Sequence, residues 1–258
     1  HQISLSIGAG RSVGIVGRTG SGKTTTLYAA LAKLDSTTQK IITVEDPVEY
    51  NMRGIVQVQT NNKAGLTFAR ALKCFLRQDP DIVMIGEMRD FDTAHIGVQA
   101  SLTGHLVLST LHSNDSAGAI ARLLDMQVEP FLVASSVLGL LSQRLVRTVC
   151  QKCAAPHPVS DELLRQLNLP ATAADLRNAR KGVGCDQCGK TGYKGRTGIY
   201  EFLKVDDDIR SAITARSSAA AIRHIAVSKG MRTLREDAIG KVKAGLTTIE
   251  EVIRVTTE

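Results

Sequence analysis

The chain has 258 residues, 43% hydrophobic and 22% charged, ordinary proportions for one or two domains with a sizeable core. Its net charge of +7 suits nucleic acid, an anionic membrane surface, or a solvated basic face that also attracts nucleotide. Aromatics are 3% with no Trp, which leaves few stacking platforms for bases, and there is neither an 18-residue apolar run nor a signal peptide. The opening HQISLSIGAG lacks a Met and is already close to a strand, so the chain is expected to be a fragment whose upstream part is missing.

Strand and helix alternate from the start to about Leu145. SVGIVG is a short apolar run that ends on a glycine-rich loop, and a helix is expected from about Gly22 to Leu34. IITVEDP (Ile41 to Pro47) is the next strand, stopped by proline, and GIVQVQT (Gly54 to Thr60) alternates as a half-exposed strand does. LTFARALKCFLRQ carries Leu66, Ala69, Leu72 and Leu76 at helical spacing. DIVMIG (Asp81 to Gly86) is apolar throughout, the mark of a strand covered on both faces. A helix over Asp92 to Leu102, a buried strand over His105 to Leu111, and helices over Ser116 to Leu124 and Phe131 to Val146 complete this half. Such alternation predicts an α/β fold with a mainly parallel sheet and ligands at the strand C-terminal ends.

After Val149 the pattern changes. Cys150 to Cys188 encloses a polar, Ala-rich middle, and GYKGRTGIYEFL reads as a turn and a strand. Three or four short helices follow from Asp206, with Gly230 and Gly245 placed where helix ends should be.

The segment Gly17-Arg18-Thr19-Gly20-Ser21-Gly22-Lys23-Thr24 fits G-x-x-x-x-G-K-[ST] without a gap, with a strand before it and a helix after. Its glycines allow a tight loop of inward N–H groups, and the helix offers its positive end to phosphate. Lys23 is placed to reach the β- and γ-phosphates and Thr24 to offer a hydroxyl to Mg²⁺, with Thr25 in the same nucleotide-binding set. Hydrolysis needs more: a carboxylate that orients water and a group that senses the γ-phosphate. Glu45 and Asp46, Glu87, and His112 end three of the expected strands, along the edge that carries the phosphate loop. A lone carboxylate there is usually a cap or surface charge, whereas three such ends in series after a phosphate loop form a pattern. The Mg²⁺-side strand usually ends in Asp, and here Gly86-Glu87 replaces it. Glu87 is therefore expected to polarise a metal-bound water or the attacking water, with Glu45 as its rival.

Four of the five cysteines form two C-x-x-C pairs, Cys150/Cys153 and Cys185/Cys188, separated by 31 residues. With no export signal they read as metal ligands rather than disulfides, and two such knuckles complete a tetrahedron for Zn²⁺, an iron–sulfur cluster being the minor alternative. Cys74 stands alone in a helical pattern and is expected to be a buried small hydrophobe.

The combination of TGSGKTTTLYA, ITVEDPVEY, LRQDPDIVMIGEMRD, QASLTGHLVLSTLHSNDSAGAIARL, QRLVRTVCQKC and GYKGRTGIYE, in order over nearly the whole chain, resembles the secretion ATPases of type II secretion and type IV pilus assembly, the GspE/PilB family. The resemblance implies a RecA-like core that hydrolyses ATP with Mg²⁺ and works as a homo-hexamer on the cytoplasmic face of the bacterial inner membrane. It further implies peripheral association through secretion or pilus platform proteins, with no nucleic acid partner. Walker A, Asp box, Walker B and His box map onto Gly17–Thr24, Glu45–Glu49, Ile82–Glu87 and His105–His112. The family's Walker B also carries Gly-Glu. Where the family usually has Pro, this chain has Arg18, which either adds charge near the nucleotide or faces solvent. Assembly and secretion members often carry the tetracysteine insert, and retraction members generally lack it. The same resemblance places the segment around Arg196 beside the nucleotide, and the flanking Gly192, Gly195 and Gly198 would let that turn approach a ligand closely.

These expectations divide the chain into a core (1–148), a zinc-binding segment with the following strand and turn (149–204) and a helical C-terminal part (205–258), with family N-terminal domains upstream. The competing reading is a nucleic-acid translocase or helicase on the same core, favoured slightly by charge and opposed by the lack of aromatics and of any basic run. A non-hydrolysing scaffold would need Glu45 and Glu87 to be missing.

Overall fold

The run SVGIV becomes β1 (Ser12–Val16), buried along its whole length between two parallel neighbours. The computed structural model describes residues 11–157, 159–160, 176 and 179–256. Among these, α1 (Lys23–Leu31), β2 (Ile41–Glu45), β3 (Val56–Gln59), α2 (Phe68–Phe75), β4 (Ile82–Ile85), α3 (Phe91–Leu102), β5 (Leu106–Leu111), α4 (Ser116–Asp125) and α5 (Pro130–Ser136) follow in order. Then come β6 (Val137–Val149), β7 (Ala154–Pro156), β8 (Arg180–Gly182), β9 (Tyr193–Lys204), α6 (Asp207–Thr214), α7 (Ala219–Ser228), α8 (Leu234–Lys243) and α9 (Ile249–Thr256). No helix among the described residues is long and apolar enough to cross a membrane.

The main sheet has the order β3-β2-β4-β5-β1-β6-β9, with parallel pairing at each of its first five junctions. β4 and β5 are buried and alternating β3 is the half-exposed edge, as the patterns predict, and β1 and β2 are buried as well.

The described residues form two compact units, those within 1–19, 23–142 and 202–231 making one and those within 20–22, 143–201 and 232–258 the other. In the first, residues alternate along each strand between two apolar clusters. Val13, Ile15, Ile82 and Met84 pack with Leu27, Tyr28 and Leu31 of α1. Ile42, Val44, Val83 and Ile85 pack with residues of α2 to α7. In the second unit Val146 and Ile199 pack with Leu234, Ala238, Ile239 and Val242 of α8 and with Ile249 and Val252 of α9.

Three local expectations are corrected. The helix expected over Phe131 to Val146 stops at Ser136, and Val137–Val149 is a strand. Its first half lies parallel beside β1, and Gly139 abuts Phe202, whose ring a Cβ would meet at 2.7 Å. Partners on both sides override helical spacing there. Cys74 is exposed, because α2 turns Ala71, Leu72 and Phe75 inward instead. The turn expected around Arg196 is part of β9, which begins at Tyr193. The last four helices fall where the sequence puts them, with Gly230 and Gly245 at positive φ just past α7 and α8.

Candidate functional site

β1 ends at Val16 and α1 starts at Lys23, so the phosphate loop joins a buried strand to a helix N-terminus. Gly22 has φ 84°, and a Cβ there would lie 2.9 Å from the Gln143 amide nitrogen, which donates to the Ser21 carbonyl at 2.9 Å. The left-handed conformation favours glycine, and any side chain there would have to displace the Gln143 amide. The Ser21 hydroxyl is buried and has no hydrogen-bond partner. A buried hydroxyl without a partner, in a loop that leads into a helix N-terminus, suits an oxyanion ligand.

Lys23 is buried and its ammonium folds back onto the loop, donating to the Gly17 carbonyl at 2.6 Å and the Arg18 carbonyl at 3.0 Å. Burial pushes its pKa below the ordinary lysine value, opposed by the negative charge of Glu87. Arg18, Thr19 and Gly20 are exposed at the lip, and Thr24 and Thr25 are exposed on the first turn of α1. The Arg18 Nε donates to the Asn114 side-chain oxygen at 3.3 Å, and Arg18, Thr19, His112 and Asn114 line one open cleft.

The strand order brings the remaining candidates to one edge. β5 lies next to β1, β4 next to β5 and β2 next to β4, so His112, Glu87 and Glu45 follow the phosphate loop in a row at C-terminal strand ends. The Gly17 N–H donates to the Leu111 carbonyl at 3.3 Å, and the Thr110 hydroxyl to the Gly86 carbonyl at 2.7 Å. Gly86 sits in a tight gap between Ile85 and Glu87, where a Cβ would lie 3.2 Å from the Val44 carbonyl oxygen and 3.3 Å from Glu45 Cα. The Glu87 side chain is 11% exposed, with one oxygen 2.6 Å from the Arg89 guanidinium and the other 3.3 Å from His112 Nε2.

Glu45 is different. It is buried at 2% exposure, and uncharged donors take its oxygens. The Tyr28 hydroxyl bonds to Oε2, while the Thr43 hydroxyl donates to Oε1 at 2.5 Å and the Gln57 amide to Oε1 at 3.2 Å. Arg196 is exposed on β9. Sequence reasoning missed Tyr28, Gln57, Arg89 and Gln143, although Tyr28, Arg89 and Gln143 stand inside the quoted motifs.

In the second unit the four cysteine sulfurs lie within 4.8 Å of one another. The Cys150–Cys185 and Cys153–Cys188 separations are 3.9 Å and Cys185–Cys188 is 3.7 Å. A tetrahedron with Zn–S bonds of about 2.3 Å has sulfur–sulfur edges of about 3.8 Å. Backbone N–H groups of Cys185 and Gly192 point at Cys188 Sγ from 3.2 and 3.3 Å, as around a thiolate ligand. Antiparallel β7 and β8 bring the two knuckles together.

The sequence has similar relatives. Over 244 residues the chain is 54% identical to "Type II secretion system protein E" of Pectobacterium carotovorum subsp. carotovorum, covering 95% of this chain and 48% of that protein. Over 246 residues it is 54% identical to "Type IV pilus assembly ATPase PilB" of Thermus thermophilus, covering 95% of this chain and 27% of that protein. The chain thus spans about half the length of the secretion relative and about a quarter of the pilus one. The solved structure of the pilus retraction motor PilT with bound ADP aligns at a TM-score of 0.70 and 26% identity, covering 97% of this chain and 62% of that one. A family model described as "Type II/IV secretion system protein" matches residues 10–254, and the chain belongs to that family.

Proposed function

We propose that this chain is the catalytic part of an ATPase motor that powers assembly of a type II secretion pseudopilus or a type IV pilus at the bacterial inner membrane. The observation that carries the reading is the row of phosphate loop, His112, Glu87 and Glu45 on neighbouring strand ends. The nucleic-acid alternative is set aside, since the relatives are named for secretion and pilus assembly.

In this reading Gly17–Thr25 holds the phosphates, with Lys23 leaving the Gly17 and Arg18 carbonyls to take the β- and γ-phosphate charge. Thr24 would hold Mg²⁺, which when bound neutralises phosphate charge. Glu87 orients the attacking water, being the more accessible of the two carboxylates and bonded at each oxygen to a group able to move with the nucleotide. His112 senses the γ-phosphate through Glu87. Glu45 is held back from water by Tyr28, Thr43 and Gln57. Arg196 joins the phosphate-binding set, supported by the family resemblance and its exposure. Cys150, Cys153, Cys185 and Cys188 would hold one structural Zn²⁺, which closes the two knuckles. The motor acts as a homo-hexamer at the cytoplasmic face, bound to membrane platform proteins.

Steady-state phosphate release by the full chain as its gene encodes it tests the activity. ATP hydrolysis is expected from the parent, and Lys23→Ala should abolish it and weaken nucleotide binding. Equal rates in the two proteins would overturn the reading.

A further inference from the structure

Tyr28 lies on the buried face of α1, five residues after Lys23, and is 1% exposed. It belongs to the same apolar cluster as Leu27, Leu31, Ile41 and Met84, and its ring centroid is 4.5 Å from that of Tyr50. Its hydroxyl is the hub of a polar network in that apolar layer. It bonds to the Glu45 carboxylate, accepts the Glu49 N–H at 3.2 Å and lies 3.4 Å from the Gln57 amide. The same Gln57 amide donates to Glu45 Oε1 at 3.2 Å and to the Tyr50 carbonyl at 3.2 Å. Three elements therefore meet at one phenol: the helix that follows the phosphate loop, the end of β2 with its loop, and edge strand β3.

The geometry has a mechanical consequence. α1 begins with the residues that grip phosphate, yet β2 stands three places from β1 in the sheet, with β4 and β5 between. The contact between them is made by the Tyr28 side chain, which carries its hydroxyl from α1 to the Glu45 carboxylate at the end of β2. We infer that Tyr28 is a positioning residue, whose hydroxyl makes the phosphate-gripping helix, Glu45 and the loop through Tyr50 move as one body, so that nucleotide bound at Lys23 sets the strand ends for turnover. The network is suited to the task. Buried polar groups that are fully partnered are rigid and specify one arrangement. Burial and the Glu45 carboxylate push the phenol up to about 12, so it stays a donor throughout the physiological range. Phe in its place keeps the ring and leaves a buried carboxylate oxygen without its donor.

The inference rests on the ATPase reading and is tested with Tyr28→Phe in the full chain. Expected are a kcat at least about ten-fold lower, a KM for ATP within about three-fold of the parent, and faster amide exchange at Glu49. A hydroxyl that serves stability alone would lower the unfolding midpoint and leave kcat at 25 °C unchanged. A variant kcat within two-fold of an active parent would overturn the inference and leave the ATPase reading intact. A parent that binds ATP without hydrolysing it would overturn both.

Discussion

Glu87 and His112 end neighbouring parallel strands, with the carboxylate Oε2 3.3 Å from the imidazole Nε2. The opposite oxygen meets Arg89 at 2.6 Å. A carboxylate held between two groups of exposed side chains can change partners when a phosphate arrives, whereas one enclosed by fixed uncharged donors cannot without breaking its surroundings.

This contrast separates the two glutamates. Glu87→Gln should keep ATP bound while kcat falls by about 10² or more, because shape and donors persist and the orienting charge is lost. Glu45→Gln should lower stability as well as turnover, since an amide placed against the Tyr28 and Thr43 hydroxyls leaves buried donors mismatched. Single-turnover hydrolysis with nucleotide-binding and unfolding measurements on both variants decides the matter. Parent-like hydrolysis by Glu87→Gln would remove Glu87 from the mechanism.

How far this site is legible in the sequence depends on the range of the contacts. The phosphate loop is local: glycine spacing, Lys23 and Thr24 sit in one run, so the motif carries its own geometry. The row of Glu45, Glu87 and His112 is legible through a rule, because residues that end parallel strands share an edge. Tyr28 is not. Its partners Glu45, Glu49 and Gln57 lie 17 to 29 residues away, and only the packing of α1 on the sheet shows that its phenol is satisfied by a carboxylate. β6 failed for a related reason. Its apolar run fits helix or strand equally, and the choice is made by β1, more than a hundred residues earlier in the chain. Gly86 reads as a departure from the usual acidic strand end until the Val44 carbonyl is seen beside it.

Glu251, on α9, is 1% exposed and bonded to Arg254 at 2.7 Å and to both the side chain and the N–H of Arg147. Burial raises its pKa, and the hydrogen bonds from Arg254 and Arg147 more than offset this, bringing it down to about 2 from 4.5. A depressed carboxylate stabilises the folded state above its unfolded value and loses that contribution as pH falls through the folded one. The shift corresponds to about 3 kcal/mol, reduced to about 1–2 kcal/mol by solvent around the half-exposed arginines. Denaturant unfolding of parent and Glu251→Gln should differ most near pH 6, with the gap closing as pH falls from about 4.5 towards 2. A gap that is constant with pH would refute the charge argument.

The cysteine cluster makes a sharper demand on metal analysis. The four sulfurs lie within 4.8 Å of one another, three of the pairs at 3.7 to 3.9 Å, which is too far apart for disulfides and matches the edges of a tetrathiolate. Purified protein is expected to hold about one zinc ion per chain, and Cys188→Ser should lose most of it. Because the ion's binding energy is local folding energy, chelation should unfold the β7–β8 knuckles while Lys23 still supports nucleotide binding. Proteolysis before and after chelation would locate the change, with new cuts expected between Cys150 and Thr191. Protein purified in reducing buffer that contains no zinc, with Cys150 and Cys153 joined in a disulfide, would defeat the assignment. Zinc loss that abolished ATP binding together with the knuckles would show that the ion serves the phosphate site as well.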